Sequence, residues 1–460
     1  MEQENRLGTE KITKLVVSIA LPSMLAQFVS VLYSIIDRIF VGNIEEIGDL
    51  CLAGIGVCAP ILTLVAAFSV FVGIGGGPLL GIALGEKNKK KAEGVLANSF
   101  ILLFGISALV TIICLSAKRP LLIMSGASEN IIDYADQYFT ICMSGITFQL
   151  FAQGMYQFII AQGKAKIGMV SIILGAVLNI IFDPLFIYVF HLGIAGAAYA
   201  TILSQFASAV FVLTYLFTKS DIKITFHGYK LKTILKICRL GVSPFLIIGT
   251  DSVVLIAVNA TLKNYGGANA DFLITVNTIV QSFMLVITMP LGGISGGTQC
   301  ILAYNYGAAN TERVKKAENV IGLLCLAYTT IFFILAWTVG NYFIMLFTDV
   351  PEIAAEAFRA IKISTLAIIP LALQYSIVDG FTALGQVGLS CFLSLFRKTT
   401  YFIIVMVIPH LFNPNNIFFA EPISTIITIV ITVSMFFIFN NKILKKRENY
   451  VATHDLSKED

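Results

Sequence analysis

"GIGGGPLLGIALGEKNKKKAE" (73–93) and "GISGGTQCILAYNYGAANTERVKKAE" (293–318) are two versions of one pattern. Each opens as a glycine-rich apolar run and closes in a basic polar turn, and a small insertion aligns the second with the first. Other pairs follow at an offset of about 222 residues: Pro22 with Pro244, and "IIAQGKAKIG" (159–168) with "FTALGQVGLS" (381–390). Self-similarity on this scale predicts two structural halves.

The material between these landmarks is apolar. The chain has 460 residues, 57% hydrophobic and 13% charged, against about 25% charged in soluble domains. A membrane-spanning helix needs about 20 apolar residues. Runs of that kind predict spans at 14–40, 51–84, 94–117, 131–161, 167–190, 194–218, 234–262, 270–304, 314–346, 352–384, 388–411 and 416–441. Six spans per half is an even number, so both halves start from one side as parallel repeats. The expected fold is therefore an all-α polytopic membrane protein of twelve transmembrane helices in two pseudo-symmetric six-helix lobes. Residues 1–217 form the N-lobe and 240–447 the C-lobe. A basic linker joins them over 218–239, read as an amphipathic helix on an anionic leaflet, and 448–460 is a tail.

Basic residues alternate from loop to loop. One side carries Arg6, Lys11 and Lys14, then "EKNKKK" (86–91), Lys164 and Lys166, the linker lysines, Arg313, Lys315 and Lys316, and Lys442–Arg447. The other side carries Lys118, Arg119 and Lys263, and its first loop, "GNIEEIGD" (42–49), is acidic. The positive-inside rule places both termini in the cytoplasm. The charged start lacks a signal-peptide pattern.

Several function classes fall away. The glycines of 73–81 are followed by Pro78 and Leu79, not the Gly-Lys-Ser/Thr of a nucleotide-binding loop. With no nucleotide site, pumping would draw on an ion gradient or the membrane potential. Eight scattered cysteines form no CxxC pair, and the four histidines lack metal-ligand spacing, so neither a zinc site nor a membrane metalloprotease is indicated. No nucleophile motif appears. The composition gives no sign of nucleic-acid binding and no cofactor.

Acids inside the spans carry the chemistry. Asp37, Asp183, Asp251 and Asp379 lie deep in apolar runs, where each carboxylate costs roughly 2.5–3.5 kcal/mol on insertion scales. Span five, "VLNIIFDPLFIYV" (177–189), is the most specific. Asn179 and Asp183 share a helix face, and Pro184 leaves the carbonyl of Ile180 unpaired. A carboxylate, an amide oxygen and a free carbonyl are hard ligands for a small cation, and a desolvated carboxyl equally binds and releases a proton. Thr201 lies across the short turn at 191–193, at similar depth. At the 222 offset Asp37 becomes Asn259, Asn179 becomes Tyr401 and Asp183 becomes Val405, so this set belongs to one half. Asp379 corresponds to Gln157 and Asp251 to Val29. In the second half Arg397 and Lys398 lie inside span eleven, with Asp379, Asp251 and Glu421 as partners to choose from.

"LPSMLAQFVSVLYSIIDRIFVG" (21–42), "LNIIFDPLFI" (178–187), "GIAGAAYAT" (193–201) and the "AQGK" turn (161–164) resemble the multidrug and toxic compound extrusion (MATE) family, in its bacterial branch. The resemblance covers nearly the whole chain. It implies a secondary exporter of organic cations and amphipathic drugs, driven by H⁺ or Na⁺, in the bacterial cytoplasmic membrane, with its cation site at Asp37, Asn179, Asp183 and Thr201. It implies bending at Pro22 and makes Asp251 and Asp379 candidates for a second polar site, with Arg397 nearby. A functional monomer is the default for such a self-contained repeat. Two rival readings are a flippase for a lipid-linked saccharide, which would want several cavity-facing Arg or Lys, and a receptor or scaffold without a transport cycle.

Overall fold

In the computed structural model the chain is almost wholly helical. The described residues are 6–42, 44, 48–125, 127, 129, 131–265, 270–347, 350–411 and 414–453. Within those helices the side chains of 38–39, 48–49, 52–53, 243, 247, 251–253, 255–257, 259–260, 262–265, 270–271, 274 and 409–410 lie outside the description, as do those of 414–415 in the 3₁₀ turn after α16.

The first half runs α1 (Arg6–Thr9), α2 (Ile12–Gly42), α3 (Gly48–Gly85), α4 (Lys89–Ser116), α5 (Lys118–Met124), α6 (Ile132–Ser144), α7 (Ile146–Ala161), α8 (Ala165–Pro184) and α9 (Gly193–Thr218). The second runs α10 (Leu231–Tyr265), α11 (Ala270–Gly307), α12 (Thr311–Thr338), α13 (Gly340–Ile344), α14 (Pro351–Ser364), α15 (Ile368–Ala383), α16 (Val387–Leu411) and α17 (Ala420–Thr453). Among the described residues nine helices are long and apolar enough to cross a membrane, and α14 with α15, bent by 51°, makes a tenth. The protein is a multi-pass membrane protein.

The repeat is exact in the places where backbone geometry is demanding. Asn88 and Asn310 cap α4 and α12, each accepting the N–H three residues on. Lys87 and Ala309 ahead of them share a positive φ of 56° and 53°. These equivalents keep a constant offset of 222, so the insertion used to align the two "KKAE" runs is not needed at the caps. The span predicted at 131–161 breaks at Gly145, and its counterpart breaks around Ala367. The short helices α5 and α13 are likewise equivalent, and α13 interrupts the run predicted at 314–346. In the "AQGK" and "ALGQ" turns, Gly163 and Gly385 adopt φ of 75° and 72°, a conformation that costs other residues roughly 1–2 kcal/mol. That requirement accounts for the glycine in both copies.

The linker differs from its expected form. Residues 219–230 form no helix, and 231–239 are the first turns of α10. Two buried amides hold the backbone instead. Gln162 Oε1 accepts from Ser220 Oγ and the Ile222 N–H at 2.7 and 2.8 Å. Asn98 accepts the Lys230 N–H at 2.9 Å and donates to the Gly228 carbonyl at 3.1 Å. Ile222 and Ile224 are buried while Lys223 between them is exposed, an alternation of period two that a helix does not satisfy.

The chain divides into two compact units, Leu25–Ile248 and Met1–Met24 with Gly249–Asp460. The division falls inside α2 and α10, a few residues beyond Pro22 and Pro244. In the first unit α10 packs on α3, where Gly75 lies against Ile237 and Gly241, and Gly241 against the Phe71 carbonyl. In the second, α2 packs on α11, where Gly297 lies against Ser23. Gly75 and Gly297 are equivalent, and a Cβ at either would have no room. These glycines of the opening motif thus serve close helix approach. The second unit also seats α1: Asn305 and Arg313 donate to the Leu7 carbonyl, and Arg313 to that of Glu10.

Candidate cation site

The site forms where α8 ends. Asn179 and Asp183, one turn apart, are 3% and 0% exposed. Asn179 Nδ2 donates to Asp183 Oδ1 at 3.2 Å. That contact uses the amide nitrogen of Asn179 and one carboxylate oxygen of Asp183; Asn179 Oδ1 and Asp183 Oδ2 are both buried without a hydrogen-bond partner. Buried polar atoms are rarely left so, because each costs about 1–3 kcal/mol. Two such oxygens on neighbouring side chains mark a place where a proton or a small hard cation fits.

Pro184 shapes the backbone here. It cannot donate an N–H, and the chain continues as a π-helical turn over Leu185–Val189, closed by Phe190 N–H to the Leu185 carbonyl at 3.0 Å. Single π turns of this kind recur at functional sites. The turn carries Tyr188 onto the end of α2, where its hydroxyl donates to the Phe40 carbonyl at 2.7 Å and its ring meets Phe40 edge-on.

Asp37 reaches the same place from α2. It is half-buried, and its carboxyl lies within electrostatic range of Asp183. Tyr33, one turn back on α2, lies within electrostatic range of both acids. Tyr138, buried on α6, lies within range of Asp37. Sequence reading missed all three tyrosines. The spacing of Tyr33 from Asp37 was the available signal; Tyr138 and Tyr188 needed the fold.

Thr201 is level with the site. Phe186 faces Gly196, and Gly175 faces Ser208 and Ser204, so α8 and α9 run antiparallel with Asp183 opposite Tyr199 and Ala200. Thr201, next along, is half-buried. Among the described residues no group of three or more His, Cys, Asp or Glu is placed to hold a metal.

The second polar set separates into two. Asp379 on α15 accepts from Ser295 Oγ and from Gln299 Nε2, the latter at 3.0 Å. Arg397 on α16 pairs with Glu421 at 3.2 Å. Asp251 belongs to α10, and its side chain lies outside the described residues. Ser295 and Gln299 were not anticipated. Nearby, Gln374 accepts from Thr432 at 2.6 Å while its own Nε2 stays buried without a partner. Pro22 is buried within α2.

A family model described as MatE matches residues 22–185 and again 265–408, one match in each half. The chain is 24% identical over 434 residues to the multidrug export protein MepA of Staphylococcus haemolyticus strain JCSC1435, covering 93% of this chain and 94% of the relative. It is 24% identical over 424 residues to MepA of Staphylococcus aureus strain MSSA476, covering 91% of each. Its fold matches an outward-facing multidrug resistance MATE family transporter of the MOP superfamily with a TM-score of 0.89 at 22% identity, over 97% of this chain and 100% of the other. A MOP superfamily transporter from Pyrococcus furiosus Vc1 also matches with a TM-score of 0.89 at 22% identity, over 97% and 99% of the chains. With both halves matched by one family model and the whole length matched by MATE structures, the chain belongs to the MatE family.

Proposed function

We propose that the protein is a secondary active multidrug exporter of a bacterial cytoplasmic membrane, moving cationic or amphipathic organic compounds outward against inward flow of H⁺ or Na⁺. Family membership and the MepA relatives support the transport of drugs. The observation that carries the coupling is the buried Asn179–Asp183 pair, with two unpartnered oxygens and Asp37 beside it. A transporter has no use for a cofactor or nucleotide here; the coupling ion is the second substrate.

Two carboxylates facing each other away from water repel when both are charged. A proton or Na⁺ arriving from outside relieves that repulsion. Asp37 on α2 and Asp183 on α8 then pack closely, which favours a different course for α2 beyond Pro22. A cationic drug competes for the same charges, so loading the ion releases the drug. In this reading lobes 1–217 and 240–447 alternate access about the linker 218–239, both termini face the cytoplasm, and one chain suffices.

The test is exchange in proteoliposomes with an H⁺ or Na⁺ gradient imposed alone. One gradient should drive uptake of a fluorescent organic cation into inside-out vesicles, and Asp183→Asn should abolish it while the purified variant stays monodisperse. Full gradient-driven exchange by Asp183→Asn would overturn the assignment of the coupling site.

A further inference from the structure

We propose that the connection between the two halves, residues 219–239, is a preformed binding surface for anionic phospholipid headgroups. It rests on the reading that this basic connection lies at the cytoplasmic face of the membrane.

The segment has one face turned inward and another left outward. Inward, Ile222, Ile224 and Ile237 are only 3%, 6% and 0% exposed, and Gln162 and Asn98 fix the backbone. Outward, Phe226, Leu231 and Leu235 are 69%, 71% and 59% exposed. Lys230, Lys232 and Lys236 alternate with them and are exposed. Leu231 and Leu235 lie one turn apart on α10, with Lys232 and Lys236 along the adjacent line, so apolar and cationic stripes run side by side.

No acid offsets those lysines. None of the three makes a salt bridge among the described residues, and the one acid of the segment, Asp221, is taken by Lys164 at 3.3 Å. Large apolar side chains beside unpaired lysines do not suit bulk water. They do suit the boundary of an anionic leaflet, where rings and leucines enter the acyl layer and lysines meet phosphates. Because the amides already order the backbone, binding costs little conformational entropy.

The equivalent segment ahead of α2 shows that such a surface is not a general property of this fold. There Leu7 and Ile12 are 0% and 3% exposed. Glu10 binds both Arg6 and Lys14, so two of the segment's basic groups are paired and its apolar ones are covered within the protein.

The experiment uses the full chain in vesicles of phosphatidylcholine with a fixed fraction of phosphatidylglycerol. Trp337→Phe removes the single tryptophan, and Phe226→Trp places a reporter on the surface. Bromine is carried in turn by each lipid. The expected result is stronger quenching per mole by brominated phosphatidylglycerol. Changing Lys230, Lys232 and Lys236 to Gln should remove that excess, on the order of fivefold in local lipid preference per lysine, while quenching by brominated phosphatidylcholine persists. The same three changed to Arg should keep it. Equal quenching by both lipids, no quenching by either, or an excess that survives the Gln variant would overturn the proposal. None of these readouts depends on export or on insertion direction, so a failed transport assay leaves the test standing.

Discussion

Val405 occupies in one half the place that Asp183 occupies in the other, and the two surroundings are opposites. Val405 is fully buried in an apolar cluster with Val258, Val276 and Ile408, and Tyr401, the counterpart of Asn179, packs against it. Asp183 is equally buried but faces Asn179 and Asp37. After Asp183 the helix opens into a π turn, whereas α16 runs on unbroken to Leu411. Second in the comparison is the position of Asp379. In the first half Gln157 stands there, crowded against Gly73, where an added Cβ would come within 2.7 Å of Gln157 Cγ. In the second half Ser295 replaces that glycine and Gln299 replaces Gly77, and both donate to Asp379. One fold therefore holds an acid in two ways. Asp379 is met by two donors from its own unit, while Asp183 retains an unpartnered oxygen. The comparison shows that the same fold can satisfy one buried acid within the protein and leave another with an unpartnered oxygen.

Reciprocal substitutions press hardest on this contrast. Val405→Asp should lower stability by about 3 kcal/mol, because an unpaired carboxyl enters an apolar cluster. Asp183→Val should leave the fold near its original stability and abolish ion-coupled export. Thermal unfolding in detergent beside vesicle exchange distinguishes the two; a stable Val405→Asp protein would show that the cluster admits water.

A smaller effect is expected at the satisfied acid. Asp379→Asn keeps one acceptor but sets an amide N–H against Ser295 or Gln299. The cost should be about 1–3 kcal/mol, read from the unfolding midpoint, with coupling intact. Loss of ion dependence without loss of stability would move the second half into the coupling machinery. Weaker still, breaking the partly exposed Arg397–Glu421 pair with Glu421→Gln should cost about 1 kcal/mol.

An effect of similar size tests the symmetry itself. Gly163→Ala and Gly385→Ala should each cost about 1 kcal/mol, since both positions need a left-handed backbone. Equal losses in chemical unfolding would confirm that the two turns are equivalent; unequal ones would show that context differs.

Much of this was legible in the chain. The apolar runs, the alternating basic loops and the 222-residue repeat arise from local physics: backbone groups in a bilayer must bond within their own helix, and glycine takes up a positive φ at the least cost. Asn179, Asp183 and Pro184 were readable for the same reason, being neighbours on one helix. The partners of residues far apart were not. That Arg397 meets Glu421, that Asp379 meets Ser295 and Gln299, and that Tyr33 and Tyr138 gather near Asp37 depend on which helix faces which, and helical periodicity says nothing of that. The helix expected over the whole linker forms only from Leu231 on, because Gln162 and Asn98, which hold the preceding backbone, lie far back in sequence. Sequence alone determined which runs are apolar enough to enter a membrane and where the unusual charges lie along them. Tertiary structure decided which of those charges are satisfied, because satisfaction is a matter of contact across helices and not of order along one.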